Sequence, residues 1–250
     1  MYKIVIPYRD RKEELDLTLP VFLRKLKECN VPYKYAIIEQ DNSLKFNLSK
    51  VINIGYEILK PYSEKDTLIC CPVDRVPNFF NLLSCRDNHV KYFVFDKTRA
   101  DMLNQNILKN GSRWDYFSIS PNFFKTIGGM NFNFKGYGWD DAYQIFITNL
   151  YAEKYPEIYE FYYRQAYGID IEHGGDYIGR CYNNYHEKNN GIFVKAATEI
   201  LKTHCHQDFL LDKNFIINYS FTHPDHENVS WYKVDWDQKR DEEVIHWRNI

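Results

Sequence analysis

The sequence predicts an α/β protein with a mostly parallel central sheet and helices on both of its faces. Short apolar segments alternate with amphipathic ones over roughly the first 75 residues, the spacing of consecutive β-α-β units. No internal repeat, low-complexity segment or linker interrupts the chain. Its 250 residues are enough for one such domain with a sizeable core. We therefore expect a single domain.

Each expected element follows from a local pattern. Lys3–Pro7 (KIVIP) is short, β-branched and closed by proline, which is typical of a buried strand. Apolar residues spaced by three and four then predict a helix, kinked or restarted at Pro20. Further strands are expected at 35–39, 68–73 and 91–95, with a helix at 50–59. The second half is less regular, with a helical stretch at 143–167 and a strand at 215–221.

Composition and charge limit the possible partners. Charged residues make up 26% of the chain and the formal charge is −2, so no basic field favours nucleic acid. No apolar run approaches the ~20 residues that would span a bilayer, and a strand, KIVIPY, stands where a signal peptide would. Cys70 and Cys71 lie in an apolar run and are expected to be buried. These features predict a reduced, cytoplasmic protein without a transmembrane segment.

Charged residues follow the first three predicted strands. Arg9 and Arg11 come after the first strand, Asp41 after the second and Asp74 after the third. Ligands of parallel sheets bind beyond these carboxyl ends, where arginines can grip phosphate and a carboxylate can hold a divalent metal. Taken singly, each residue is more often a solvated helix start or a turn cap.

The segment GYGWDD at 136–141 combines two glycines, two aromatic residues and two adjacent carboxylates. Glycines permit close backbone approach, aromatic rings can stack on a sugar, and a carboxylate can accept a proton from a hydroxyl nucleophile. The alternative is a helix N-terminus, with Asp140 as its cap and Asp141 in its first turn. The two interpretations are compatible.

Two histidine-containing segments are candidate metal sites. His186, in IGRCYNNYHEKNN at 178–190, is a candidate ligand, although a lone histidine is more often structural. The adjacent residues His204, Cys205 and His206 would diverge on a strand or a helix. We therefore exclude that second segment as a self-contained zinc site.

The order of the motifs is more specific than any one of them. From about residue 3 to 190 the chain reads IVIPYRDRKEELD, FNLSKVINIGYE, LICCPVDRVPN, FFKTIGGMNFNFKGYGWDDAY and IGRCYNNYHEKNN. In this order the sequence resembles glycosyltransferase family 7, the β-1,4-galactosyltransferase family, and VSWYKVDW at 229–236 matches its final strand more weakly. The resemblance implies a GT-A fold and an inverting, Mn²⁺-dependent transfer of a sugar, Gal or GalNAc, from a UDP-sugar to a hydroxyl of a glycan or glycoconjugate acceptor.

The resemblance also implies roles for individual residues. Asp141 takes the place of the catalytic base, and Asp140 stands where the family has a glutamate near the acceptor. The metal ligands would be Asp74 and His186. Residues implied to contact the nucleotide are Pro7, Tyr8, Arg9, Arg11, Phe46, Val73 and Asp74. Those implied to contact donor or acceptor sugar are Tyr137, Gly138, Trp139 and Trp114. Residues 1–110 would form the nucleotide-binding half and 111–250 the acceptor, metal and catalytic half.

Several positions depart from the family pattern. Pro72 replaces the first aspartate of the family's DVD motif, Leu48 replaces the arginine of its FNR motif, and Asn183 stands at a metal-binding methionine. The segment that reads the donor sugar aligns with 112–115, SRWD, and 148–163 is an apparent insertion. A GT-A enzyme of other specificity (glucosyl, xylosyl or nucleotidyl transfer) and a catalytically silent nucleotide- or carbohydrate-binding domain therefore remain open.

Overall fold

A computed structural model describes most of the chain. The described residues are 1–77, 83–85, 88–94, 114–136, 138–165, 168–170, 176–210, 213–237 and 247–250. For 94, 161–165, 168–170, 176–186 and 247 only the backbone is described. Tyr137 and the side chains of Asn183 and His186 therefore lie outside the described residues.

The first half of the chain forms the predicted alternation of strands and helices. Its elements are β1 (Tyr2–Tyr8), α1 (Lys12–Glu28), β2 (Tyr33–Gln40), α2 (Leu48–Ile58) and β3 (Thr67–Cys70). All seven residues of β1 are buried, as expected for a strand covered on both faces. Pro20 lies inside α1 and does not end it. The third strand ends three residues earlier than predicted, just before the Cys71–Pro72 pair, and proline has no N–H for a sheet ladder.

The second half is more irregular. Its elements are β4 (Arg75–Pro77), β5 (His89–Val94), β6 (Tyr116–Ile119), α3 (Pro121–Thr126), α4 (Asp140–Lys154), β7 (Glu160–Gln165), β8 (Gly168–Asp170), α5 (Asp176–Thr203), β9 (Cys205–Gln207), β10 (Ile216–His223), β11 (His226–Asp235) and β12 (Trp247–Asn249). The predicted helix over 143–167 is wrong beyond Lys154, because Pro156 cannot continue it and the aromatic segment after it joins the sheet. The apparent insertion at 148–163 thus supplies the end of α4 and the start of β7.

The described strands form a central sheet in the order β10-β11-β2-β1-β3-β6-β5-β7. Four of its seven pairings are parallel: β11 with β2, β2 with β1, β1 with β3, and β5 with β7. The antiparallel pairings are β10 with β11, β3 with β6, and β6 with β5. The predicted mostly parallel sheet is confirmed, and the predicted strand at 215–221 corresponds to β10.

Hydrophobic cores lie on both faces of this sheet, as predicted. Alternate β1 residues divide between them: Ile4 and Ile6 pack with α1, whereas Val5 packs with α2. Contact with α2 is especially close, because a Cβ added to Gly55 would lie 2.5 Å from Val5 Cγ1. Cys70 and Cys71 are fully buried, one in each core, which raises the pKa of both thiols. The buried role predicted for them is confirmed.

None of the described helices combines the length and the apolar character that spanning a lipid bilayer requires.

Candidate functional site

The carboxyl ends of β1, β2, β3 and β11 lie at one edge of the sheet because these strands are parallel. Arg9 follows β1 and reaches across this edge to the loop after β2. Its guanidinium donates to the backbone carbonyls of Leu44 and, at 3.0 Å, Asn42. Gln40 Nε2 donates to Asn42 Oδ1 at 2.8 Å. Arg9 therefore shapes the loop that leads to Phe46, another residue implied to contact the nucleotide.

Asp74 lies buried beneath this edge with two arginines beside it. Its residue exposure is 2%, and its Oδ2 lies 3.2 Å from Arg11 Nη1 and 3.5 Å from Arg75 Nη1. Arg75 in turn approaches Asp115, with 3.7 Å between Nε and Oδ1. The two guanidinium groups offset part of the cost of burying this carboxylate away from water. The structure thus brings together Arg11 and Asp74, which the sequence analysis proposed separately.

The donor chemistry of Asp74 fits a divalent metal, because Mg²⁺ and Mn²⁺ prefer hard oxygen ligands. Among the residues with described side chains, no group of three or more His, Cys, Asp or Glu is placed to hold a metal ion. The side chain of His186, the other predicted ligand, is outside that set. Asp74 therefore qualifies as one ligand of a site that needs further donors.

Tyr8, at the end of β1, packs into an aromatic and charged cluster. It is 6% exposed and meets Trp231 of β11 edge-on, with the ring centroids 4.9 Å apart. Trp231 Nε1 donates to Glu39 at 2.7 Å, and Lys233 Nζ lies 3.4 Å from the same carboxylate. Burial, followed by the charge of Glu39, raises the pKa of the Tyr8 phenol. Its neighbours in the implied nucleotide set, Pro7 and Val73, are also buried.

Two asparagines, one at the N-cap of α2 and one within the helix, hold the segment that leads into GYGWDD. Asn47 caps α2 by accepting from Lys50 N at 2.9 Å, and its Nδ2 donates to Phe132 O at 2.7 Å. Asn53 makes a paired contact with Met130, donating to its carbonyl at 2.8 Å and accepting from its N–H at 2.9 Å. Sequence reasoning missed both residues, although an amide in the middle of an apolar helix, as at Asn53, is a usable signal.

A backbone hydrogen bond also links the GYGWDD loop to the segment that precedes α2. Gly136 N donates to Phe46 O at 2.9 Å, so the first residue of GYGWDD touches a residue implied to contact the nucleotide. Gly136 and Gly138 have φ values of +75° and +92°, which favour glycine, and Trp139 shares this left-handed region at +74°. The loop therefore follows a tight path that its glycines make accessible.

Helix α4 begins directly after this loop. The capping position is Trp139, not Asp140 as expected from the sequence, and its side chain makes no capping hydrogen bond. The Trp139 ring instead packs against Phe193 of α5, with centroids 5.2 Å apart. Asp140 and Asp141 both lie in the first turn, where the helix dipole favours carboxylates. The predicted helix start is correct to within one residue.

The two carboxylates differ in environment. Asp141 Oδ1 accepts from the N–H of Ala142 at 2.8 Å. Burial raises the pKa of Asp140 to about 6, against the opposing effect of backbone N–H groups of Asp140 and Asp141. A carboxylate with a pKa nearer neutrality is a better proton acceptor at physiological pH. Both residues could therefore serve as a base, and the raised pKa makes Asp140 a stronger candidate than the sequence indicated.

Trp114 occupies a different setting from the rest of the implied sugar contacts. It is 7% exposed and packs edge-on against Phe117, with ring centroids 4.8 Å apart, in the hydrophobic core that also contains Tyr143 of α4. Its buried Nε1 has no hydrogen-bond partner among the described residues. Trp114 lies next to 95–113, outside the described part, so its contact with a sugar stays a prediction.

A surface cavity of about 530 Å³ lies away from these residues. It is lined by the C-terminal half of α1 and by the first residues of β2 and β11, including Lys27, Tyr33 and His226. That is the amino-terminal edge of the parallel strands. This cavity is therefore distinct from the predicted site.

Comparison with known proteins agrees with the motif order. A family model described as the N-terminal region of glycosyl transferase group 7 matches residues 2–86. β-1,4-Galactosyltransferase 4 of Cricetulus griseus is 31% identical over 140 residues, covering 55% of this chain and 39% of that protein. Xylosylprotein 4-β-galactosyltransferase of Caenorhabditis elegans is 37% identical over 67 residues, 27% of this chain and 21% of the relative. The matched part thus spans well under half the length of these curated relatives.

Solved structures extend the likeness to the whole fold. An aspartate-to-asparagine mutant of Drosophila β-1,4-galactosyltransferase 7, in complex with manganese, UDP-Gal and xylobiose, has a TM-score of 0.69 at 15% identity. The similarity covers 96% of this chain and 97% of that one. A xylobiose complex of its catalytic domain gives a TM-score of 0.68 at 16% identity. The predicted resemblance to family 7 and the predicted GT-A fold are confirmed.

Proposed function

We propose, from this similarity to glycosyltransferase family 7, that the chain is a metal-dependent, inverting glycosyltransferase. It would move a sugar, Gal or GalNAc, from a UDP-sugar to a hydroxyl of a glycan or glycoconjugate acceptor. Residues 1–110 would bind the nucleotide, and 111–250 would supply the acceptor site and the base. The hydrogen bond between Gly136 N and Phe46 O carries this proposal, because it joins an implied nucleotide contact to the loop with the candidate base.

The edge formed by β1 and β3 suits the UDP moiety. Arg11 and Arg75 lie beside Asp74, so two guanidinium groups that can donate to phosphate oxygens are present at this edge, with their charges balanced by Asp74 and Asp115. Asp74 and His186 would hold Mn²⁺, which, when bound, neutralises charge on the departing diphosphate as a Lewis acid. Arg9 donates hydrogen bonds to carbonyls of the loop before Phe46 and would thus support the nucleotide pocket indirectly.

Asp141 would act as the base. Its carboxylate accepts the proton of the acceptor hydroxyl while that oxygen forms a bond to the anomeric carbon, and the bond from this carbon to the UDP phosphate oxygen breaks. A single in-line displacement inverts the configuration and needs no carboxylate nucleophile. Asp140, whose pKa burial raises to about 6, is the other candidate for this role. Both are held on the first turn of α4, a rigid support for a proton acceptor.

The test is a panel of UDP-sugars with Mn²⁺, measuring UDP release with and without simple sugar acceptors. We expect acceptor-dependent release with UDP-Gal or UDP-GalNAc. Asp141→Asn should leave UDP binding within about twofold of wild type and lower turnover by at least about 10²-fold, as for a group acting in the transition state. Asp140→Asn is the matched variant: if it alone abolishes turnover, the base is Asp140. No release with any donor refutes the proposed activity.

A catalytically silent nucleotide-binding domain is the second candidate. One observation favours it: two arginines already lie within 3.5 Å of one oxygen of Asp74, and their positive charges oppose a cation at the same carboxylate. Such a domain would bind UDP with an affinity independent of Mn²⁺ and release none from any UDP-sugar. Titration calorimetry with UDP, with and without Mn²⁺, separates it from the enzyme.

A further inference from the structure

We infer that Asn189 of α5 is a positioning residue that sets the path of the GYGWDD loop and thereby the placement of the α4 carboxylates. The catalytic part of this inference rests on the proposed function. Its structural part, that one side chain holds this loop, can be tested without any activity.

Asn189 contacts the loop at two points. It is 1% exposed, and its Nδ2 lies 3.1 Å from Lys135 O and 3.0 Å from Gly138 O. Its Oδ1 accepts from Lys135 N at 3.5 Å, a longer contact. One amide group therefore bridges the residue just before GYGWDD and the third residue within it. An asparagine suits this position because it combines two N–H donors with an acceptor.

The loop conformation explains why it needs such a bridge. Gly136, Gly138 and Trp139 all have positive φ values, so regular backbone pairing is interrupted directly before α4. The carbonyls of Lys135 and Gly138 point to α5 and would each lose a partner without Asn189. Gly138 is two residues from Asp140, so a change at its carbonyl shifts the start of α4.

A second contact comes from the same side of α5. Phe193, four residues after Asn189, packs against the ring of Trp139 at 5.2 Å and against Phe146 at 5.9 Å. Residues spaced by three and four share one side of a helix. Position 186, the predicted metal ligand, precedes Asn189 by three residues in the same helix. One helix would then position the base loop and carry a metal ligand.

The variants compared are Asn189→Asp and Asn189→Ala, with Asn190→Ala as the matched control at the next, partly buried position of α5. Aspartate has nearly the same shape but, when ionised, donates no hydrogen bond and places a charge against two carbonyls. Hydrogen exchange of the peptide covering 130–142, read by mass spectrometry, reports the loop directly. Steady-state kinetics with the best donor and acceptor, and UDP titration, report its effect on function.

We expect both Asn189 variants to exchange at 130–142 at least about tenfold faster, and the Asn190 control to match wild type. Their kcat should fall at least about tenfold while the Kd for UDP changes less than about twofold. Exchange in α2 should stay protected, which separates loosening of the loop from general unfolding. Phe193→Leu keeps α5 intact and should show the same pattern more weakly, if the Asn189 variants do not fold.

Unchanged loop exchange in Asn189→Asp overturns the inference, as does an equal loss in the Asn190 control. Faster exchange with unchanged kcat in an active enzyme overturns the catalytic part. If the wild-type protein turns over no UDP-sugar, the proposed function fails, whereas the exchange comparison still decides whether Asn189 holds the loop.

Discussion

The paired contact between Asn53 and Met130 joins the nucleotide side of the fold to the segment that carries the candidate base. Both residues are buried, Asn53 at 4% and Met130 at 0% exposure. The two hydrogen bonds, 2.8 and 2.9 Å, satisfy the backbone carbonyl and N–H of Met130. Asn53→Ala removes both and leaves two buried polar groups far from water.

The expected loss follows from this geometry. Each buried backbone group left without a partner costs about 1 to 3 kcal/mol, so the pair should lower the free energy of unfolding by about 2 to 6 kcal/mol. Asn53→Asp retains an acceptor for Met130 N but loses the donor, and it buries a charge as well. We therefore expect it to be no milder than Asn53→Ala at neutral pH.

Urea denaturation followed by circular dichroism and by tryptophan fluorescence measures this loss, with coincident transitions as the check for two-state unfolding. Asn149→Ala is the control. Its amide donates to Glu153 at 2.7 Å near the surface of α4, and the change should stay within roughly 0.5 kcal/mol. A loss below about 1 kcal/mol for Asn53→Ala would refute the reasoning, since it would mean that Met130 finds other partners.

Three further outcomes are expected. Burial raises the pKa of Asp140 from 3.8 to about 6, so its contribution to stability is complete below about pH 4 and is lost as the pH rises through 6. The full shift corresponds to about 3 kcal/mol, but Asp140 is only partly buried, so solvent screening reduces its effect on stability. In urea melts we expect Asp140→Asn to raise the free energy of unfolding by about 1 to 2 kcal/mol at pH 8 and to leave it unchanged at pH 4. Equal effects at both pH values would contradict this. Gly129→Ala should lower the free energy of unfolding by about 2 kcal/mol or more, because φ is +76° at Gly129 and the new Cβ would lie 2.7 Å from Asn53 Oδ1. An unchanged urea midpoint would argue against that crowding. Asp74→Asn should abolish the Mn²⁺-dependent part of UDP-induced thermal stabilisation, and a wild-type response would remove Asp74 from the metal site.

Sequence patterns were sufficient wherever a structure depends on neighbours along the chain. The five elements from β1 to β3 follow from apolar periodicity, and the start of α4 follows from the composition of GYGWDD. The same local patterns failed at 160–165, where an aromatic stretch that resembles a helix face pairs with β5. Periodicity over a short apolar run cannot distinguish the two, because the decision lies in the strand beside it.

The fold class, the order of the motifs and the residue types available for chemistry at each strand end follow from the amino-acid sequence without any knowledge of long-range contacts. The packing of the folded chain, in contrast, brings Arg11 and Arg75 to the carboxylate of Asp74 and places Asn53 and Asn189 against the segment containing the candidate base. These partners are separated by up to 77 residues along the chain. Contacts at such distances depend on how helices pack on the sheet, and no local pattern encodes which buried amide will meet which carbonyl.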